Sequence, residues 1–408
     1  MIRCTKSTLK FANPGRIAHL KQFVTEYKTV VIRFVDLLWN EANVPQLITK
    51  DITNKVDTWL SQRAIQCAAK QASGIVRGTK TKQKQRLYQI NKFNKEGMFK
   101  KARKLQKIYD KATVSKPNIN NIECELDSRF VKTDLNNPTS FDGWIVLQSL
   151  GNDLKIQLPF KKHKHFNRML SKGTLKNGIR LNSKSITFNF EIADIPLKTT
   201  GKIIGIDVGQ TTTLSCSNNQ TLDKCPHGHT YTSICNKLSR KKKGSKNFRQ
   251  TVKHRSNYLR YIVNQLNLDG VRVVNRENIK HLRRFANVSR RMKHWNYAEL
   301  FDIVDAKLAE QGVLVGKLNP TYTSQRCSMC GWTRKNNRKG KWFKCTSCSH
   351  EQDADLNAAS NLSFNLVPLK EQVRLQHKSR SGFYWNVVGE ASTVPHVQKN
   401  EIPILQWN

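Results

Sequence analysis

The chain has 408 residues, with 71 Lys or Arg against 29 Asp or Glu, a formal net charge of +42. No apolar run approaches the roughly eighteen residues of a membrane span, and the opening MIRCTKSTLKFANPGR has no apolar core of a secretion signal, which argues against membrane-embedded and secreted classes. A charge this large needs a polyanionic partner, and nucleic acid is the expected one.

Residues 1–10 read as a short strand, broken by Asn13-Pro14-Gly15. Leu20, Phe23, Val24, Val31, Phe34, Val35 and Leu38 fall at helical spacing and predict a helix over 16–42. A second helix is predicted over 56–76, closing near Gly78. Residues 77–107 carry twelve Lys/Arg and one acid, Glu96; Leu87, Ile90, Phe93, Phe99 and Leu105 recur among them, so they read as a basic helical hairpin. From about 118 the pattern turns to strands, over 144–149, 153–160, 178–182 and 185–192, with a short basic helix and turn between the second and third. A small antiparallel sheet or barrel is expected there, followed by a linker over 196–201.

From 202 the pattern is α/β. KIIGIDVGQ is an apolar strand ending in a glycine turn, TTTLSCS a second strand, and a third is expected near 219–223. Residues 236–260 hold ten Lys/Arg and no acid, and lead into a helix completed by YLRYIVNQL. GVRVVNREN is a strand, 295–311 an amphipathic helix, GVLVGKLN a strand, and a last helix is expected from about Ala354. No element is assigned after about 366. Both basic runs are read as nucleic-acid contacts, and RKKKGSK (240–246) also matches a nuclear localisation pattern.

Ten cysteines in an intracellular, reduced chain point to metal rather than disulfides. Cys327, Cys330, Cys345 and Cys348 form two Cys-x-x-Cys pairs separated by fourteen residues. Each pair presents two thiolates from one knuckle, and two knuckles close a tetrahedral zinc site with no open position, hence a structural one. CPHGH (225–229), with Cys235 nearby, lacks that spacing and is read as a loop. A second set consists of acids. Asp207 and Glu277 end strands, while Asp353 and Asp355 open a helix just after the cysteines. Phosphodiester hydrolysis by two metals needs carboxylates that hold Mg²⁺ ions about 3.5–4 Å apart. Taken singly, an acid at a strand end is a turn residue and one before a helix is a cap.

GIDVG, RENI and TSQRCSMCG…CTSC…DADLNAASNL, in that order, resemble the RuvC-type nuclease half of the TnpB family, the transposon-encoded ancestors of the type V CRISPR effectors. The specific resemblance covers about 202–362 and extends more weakly to 1–200. It implies a multidomain α/β plus α+β chain: an RNase H-like (RuvC) nuclease domain with an inserted zinc ribbon, preceded by a β-barrel wedge domain with a helical recognition insertion. The implied boundaries are 1–12 for a wedge strand, 13–115 for the recognition domain, 116–200 for the wedge barrel and 201–322 for the nuclease domain. A zinc-ribbon target-nucleic-acid-binding domain follows over 323–350, the final nuclease helix over 351–366, and a partly disordered tail over 367–408.

The same resemblance makes Asp207, Glu277 and Asp355 the catalytic, magnesium-binding acids, with Asp353 supporting at most. It makes Cys327, Cys330, Cys345 and Cys348 the zinc ligands. Its motif-reading helix falls on Gln62 and Gln66, four apart on one helix face, and glutamine can read an adenine edge. The implied activity is RNA-guided, Mg²⁺-dependent cleavage of double-stranded DNA next to a short adjacent motif at a single RuvC-like site, with a guide RNA as partner. Some family members have lost catalytic acids and act as RNA-guided repressors; three intact acids argue against that here, and the ribbon's place before the final acid argues against a DDE-type transposase or resolvase. The expected location is the cytoplasm, on the nucleoid, of a prokaryote, or the nucleus of a eukaryote. The residues around the glutamate, Asn275-Arg276-Glu277-Asn278, are more polar than the family pattern.

Overall fold

The chain starts as strand β1 (Ile2–Thr8) and enters helix α1 (Pro14–Trp39) at a built cap. The Asn13 side chain accepts from the Arg16 amide, and Pro14 takes the first helical position, where a missing N–H costs nothing. This computed structural model describes residues 1–136, 139–149, 154–279, 288–370, 373 and 381–395. It divides into two units, Met1–Asp194 and Ile195–Asn408. The first residue of the strand expected over 153–160 and much of the expected tail, 371–372, 374–380 and 396–408, lie outside the described residues.

In the N-terminal unit, α1 buries Leu20, Phe23, Val24, Tyr27, Val30, Val31, Phe34, Val35 and Leu38, a 3–4 spacing that sets one apolar stripe inward. A short turn, α2 (Lys50–Thr53), leads to α3 (Gln62–Lys95), which packs on α1. The sequence predicts a stop near Gly78, but α3 runs on as one helix of 34 residues. Glycine inside a helix costs only about 1 kcal/mol against alanine, and Gly74 and Gly78 sit where a Cβ would meet nothing within 4 Å. The break comes at Gly97, whose φ of 68° lets the Met98 amide reach back to the Phe93 carbonyl at 2.8 Å. Helix α4 (Phe99–Val114) then returns along α3, so the basic hairpin has its first arm continuous with the preceding helix.

The rest of this unit is antiparallel sheet. Strands β2 (Cys124–Leu126), β3 (Val131–Asp134), β4 (Gly143–Gln148) and β5 (Lys155–Phe160) precede helix α5 (Lys164–Leu170), and β6 (Gly173–Asn182) and β7 (Ser185–Ile192) follow it. They pair in the orders β1-β7-β6-β2 and β3-β4-β5. Strict alternation on β7 turns Ile186, Phe188, Phe190 and Ile192 inward. Phe160, Phe166 and Phe188 meet there with ring centroids 4.8–5.7 Å apart.

The C-terminal unit is built on β8 (Lys202–Asp207), β9 (Leu214–Cys216) and β10 (Thr221–Leu222). Helices α6 (Tyr231–Ser239) and α7 (Lys246–Gln265) hold part of the second basic run, with Arg240, Lys241, Lys242 and Lys243 in the turn between them; Tyr258, Leu259, Ile262 and Val263 turn inward, and Arg255 is largely buried against Glu299. Strand β11 (Val271–Glu277), helix α8 (Tyr297–Ala309) and strand β12 (Leu314–Leu318) complete a sheet of order β10-β9-β8-β11-β12. β8 to β10 are antiparallel, whereas β8, β11 and β12 are parallel. Small pieces follow: β13 (Trp332–Thr333), β14 (Arg338–Lys339), β15 (Trp342–Lys344) and β16 (Glu351–Asp353). Helix α9 (Ala354–Ser363) then packs on β8, and β17 (Phe383–Trp385) and β18 (Ala391–Ser392) close the described chain. The sequence pattern places nothing past 366, yet β17 pairs with β13 and buries Phe383 and Trp385.

Candidate active site and metal centre

The acids come together because of strand direction. β8 and β11 are parallel, with Arg276 opposite Ile206, so the last residues of the two strands, Glu277 and Asp207, lie at the same end of the sheet. Helix α9 supplies the third. It lies against β8 at Gly205, where a Cβ would meet the Ala359 carbonyl at 1.9 Å and Leu362 Cβ at 2.7 Å. Only glycine lets the helix approach that closely. Asn275 fixes the other end of α9, donating to the Leu362 carbonyl at 2.9 Å. The polar Asn275-Arg276 pair beside the glutamate is thereby explained: Asn275 caps a helix, and Arg276 forms a two-pronged ion pair with Asp305 at 2.7–2.8 Å.

Asp207 is buried, and burial raises its carboxyl well above the usual range; the charges of Glu277 and Asp355 push it further. Burial also lifts Glu277, to about 7, against a hydrogen bond from Thr323 Oγ1 at 3.1 Å. Burial thus favours the protonated form of both carboxyls, opposed by Arg338 and Lys341 at Asp207 and by Arg338 at Glu277. Asp355 is neutralised by the protein itself: Arg338 reaches Oδ1 at 2.8 Å and Lys341 reaches Oδ2 at 2.6 Å. Among the described residues, only the four cysteines form a His/Cys/Asp/Glu group of three or more with every ligand atom within 4.8 Å of the others. The three carboxylates therefore share an edge and a field without being drawn to one point. Asp353 does other work. It is the N-cap of α9, accepting from the Asp355 and Leu356 amides at 2.9 and 3.1 Å.

Cys327 and Cys348 approach to 3.7 Å between Sγ atoms, Cys330 and Cys345 to 3.6 Å. Without a metal, hydrogen bonds with Cys330 and Cys345 push the Cys327 thiol up, while those with Cys327 and Cys330 push Cys345 down. Cys225 belongs to a tight turn instead: its amide donates to the His229 carbonyl at 3.1 Å and Gly228 sits at φ 72°.

A group absent from the sequence reading ties the two centres. Arg326, buried, donates to the Trp385 carbonyl at 2.8 Å and to Asn361 Oδ1 at 2.6 Å. Asn361 and Asn357 donate back to the Arg326 carbonyl at 2.7 and 2.8 Å, and Asn357 accepts from the Ser328 amide at 3.0 Å. The helix bearing Asp355 is thus locked to the first cysteine knuckle. The sequence signal was the DLNAASN spacing, which puts Asn357 and Asn361 four apart on one helix face. In the N-terminal unit, Gln62 is exposed at the start of α3, whereas Gln66 accepts from Arg63 at 2.8 Å, and Arg63 also pairs with Asp127.

A family model described as the Cas12f1-like TNB domain matches residues 297–362. The CRISPR-associated endodeoxyribonuclease Cas12f1 of Sulfoacidibacillus thermotolerans is 41% identical over 118 residues, 29% of this chain and 27% of that protein. Its namesake in Syntrophomonas palmitatica is 38% identical over 106 residues, 26% and 21% of the two chains. The TnpB-like protein MJ0751 of Methanocaldococcus jannaschii is 33% identical over 76 residues, 19% and 27%. The chain spans about a quarter of the length of these curated relatives.

Proposed function

We propose that this chain, a relative of the TnpB-like proteins and the miniature type V effectors, is an RNA-guided, Mg²⁺-dependent DNA endonuclease with a single RuvC-like active site formed by Asp207, Glu277 and Asp355. The observation that supports the reading is that these three acids lie near one end of the sheet and share a field, two of them raised by burial. An all-oxygen donor set of three carboxyls suits a hard divalent cation. Magnesium, when bound, supplies positive charge to the attacking and leaving oxygens of the phosphodiester. Asp207, on the central strand and backed by Ile204 and Ile206, is the best-fixed donor and would hold the metal most firmly. Glu277, steadied by Thr323, and Asp355, carried on the locked helix, flank it.

Zinc fits the cysteines on geometry. Four Zn–S bonds of about 2.3 Å give tetrahedron edges of about 3.8 Å, close to the 3.6 and 3.7 Å separations here. The site has no open position and is structural, holding the ribbon against α9. In this reading the two sheets of the N-terminal unit serve as the wedge and α1–α4 as the recognition domain. The basic arm of α3 and α4, with α6 and α7, faces guide RNA and target DNA through phosphate. Sequence choice lies in guide pairing, with protein contacts reading shape and a short adjacent motif. Gln62 is the better placed of the two glutamines to reach a base, since Gln66 is held by Arg63. The deciding experiment charges the chain with its RNA and assays Asp207→Ala, Glu277→Ala and Asp355→Ala on guide-matched duplex DNA. Each is expected to bind and not cut. Cleavage by all three overturns the assignment, and a wild-type complex that binds without cutting makes the chain a guided binder.

A further inference from the structure

Lys341 sits at the turn between β14 and β15 and is tied to the acid site at three points. Its carbonyl accepts from the Ala354 amide at 2.8 Å, one residue before Asp355. Its Nζ donates to Asp355 Oδ2 at 2.6 Å and also to Thr212 Oγ1. Thr212 is buried in the turn that leaves Asp207, and that turn is closed tightly: a Cβ on Gly209 would meet the Thr212 carbonyl at 2.6 Å. One ammonium therefore bridges the loop after the first acid to the carboxylate of the third. Its charge also acts on Asp207.

We infer that Lys341 is a displaceable stand-in cation: it neutralises Asp355 and holds it to the Asp207 turn until a divalent metal replaces it. The two cations on Asp355 differ in what holds them. Arg338 is braced through its Nε on the Gly340 carbonyl at 3.1 Å and has a planar fork. Lys341 is a point charge on a flexible stem with its side chain 42% exposed, so it can leave toward solvent. Departure removes one unit charge from beside the metal position, while the turn stays held by its backbone bond to Ala354 and by the Arg338 pair. Metal loading and the Lys341–Asp355 contact are thereby coupled, and any coupling of this kind is reciprocal.

The inference rests on the metal reading of the three acids, and the test separates the two. Mn²⁺ affinity of the full zinc-loaded chain is measured by electron paramagnetic resonance for wild type, Lys341→Gln, Lys341→Arg, Thr212→Val and Asp207→Asn. Removing the competing charge is expected to tighten Mn²⁺ binding about fivefold in Lys341→Gln, the scale of a partly screened charge pair. Lys341→Arg, which keeps the cation, stays near wild type. Thr212→Val, which frees Nζ from its second anchor without touching a carboxylate, tightens binding by a smaller factor. Unchanged or weaker binding in Lys341→Gln, with wild-type binding still lost in Asp207→Asn, overturns the stand-in role alone. Wild-type Mn²⁺ binding that survives Asp207→Asn overturns the metal reading and the inference with it.

Discussion

At the scale of single residues, Asp353 and Asp355 show how two neighbouring acids are assigned different work. Asp353 spends its carboxylate on two amides at the start of α9, so Asp353→Ala should cost about 1 kcal/mol of stability, the usual loss of a helix cap, and leave most cleavage intact. Asp355→Ala should nearly abolish cleavage, since acids that act as a unit lose activity together. Melting curves and guide-dependent cleavage on both variants check the pair; a dead Asp353→Ala beside an active Asp355→Ala reverses the assignment. Asp207 and Glu277 make a further prediction. Their folded carboxyls are raised, so they bind protons more tightly folded than unfolded, and that stabilisation is full below the unfolded carboxyl value of about 4. It is lost as pH rises toward about 7, the value for Glu277. In magnesium-free buffer, wild type should therefore lose stability over this window relative to Glu277→Gln, measured as the difference in melting temperature against pH. Parallel curves contradict it. The shared placement of Asp207 and Glu277 was legible because each ends an apolar strand in the sequence. Asn357 and Asn361 showed only as a four-residue spacing on one helix face, and Arg326 had no local signal, because its partner Trp385 lies about sixty residues away.

Among elements, legibility followed locality. The apolar strands that became β8 and β11 and the stripe of α1 bury what their periodicity says they should. The continuity of α3 was hidden because two glycines look like a stop, yet neither faces a neighbour that would exploit the gap. Strand β17 was hidden for the opposite reason: three residues gain their place from a partner, β13, some fifty residues earlier. The closest packing is between α9 and β8. Gly205→Ala drives a methyl into a helix backbone and should cost about 2–3 kcal/mol, as overpacking does, while displacing Asp355. Thermal unfolding together with cleavage tests this; an unshifted melt would show that α9 can yield. For the ribbon, Cys345→Ser should lower zinc from about one per chain and reduce folding yield, because metal binding to such a site is folding free energy. Elemental analysis gives the readout.

For the whole molecule, charge distribution bears on the proposed nucleic-acid partner. The twelve cations over 77–107 lie on α3 and α4, beside exposed Leu87, Tyr88, Phe99 and Ile108, and of the ten over 236–260 Arg240, Lys241, Lys242 and Lys243 lie in the turn between α6 and α7, so most are open to solvent or to phosphate. Among the described residues no helix is long and apolar enough to cross a membrane. The chain should therefore purify with a structured RNA, and RNA affinity should fall about a thousandfold between 50 and 200 mM salt through counterion release. The measurement that bears most directly on the account is cleavage by the complex purified with its own RNA, the guide read by sequencing and the DNA made to match it. The account predicts a cut in duplex carrying the matched target when magnesium is present, no cut when magnesium is withheld or the target is mismatched, and no cut by Asp207→Ala although it still binds. Matched DNA cut equally well by Asp207→Ala would contradict it.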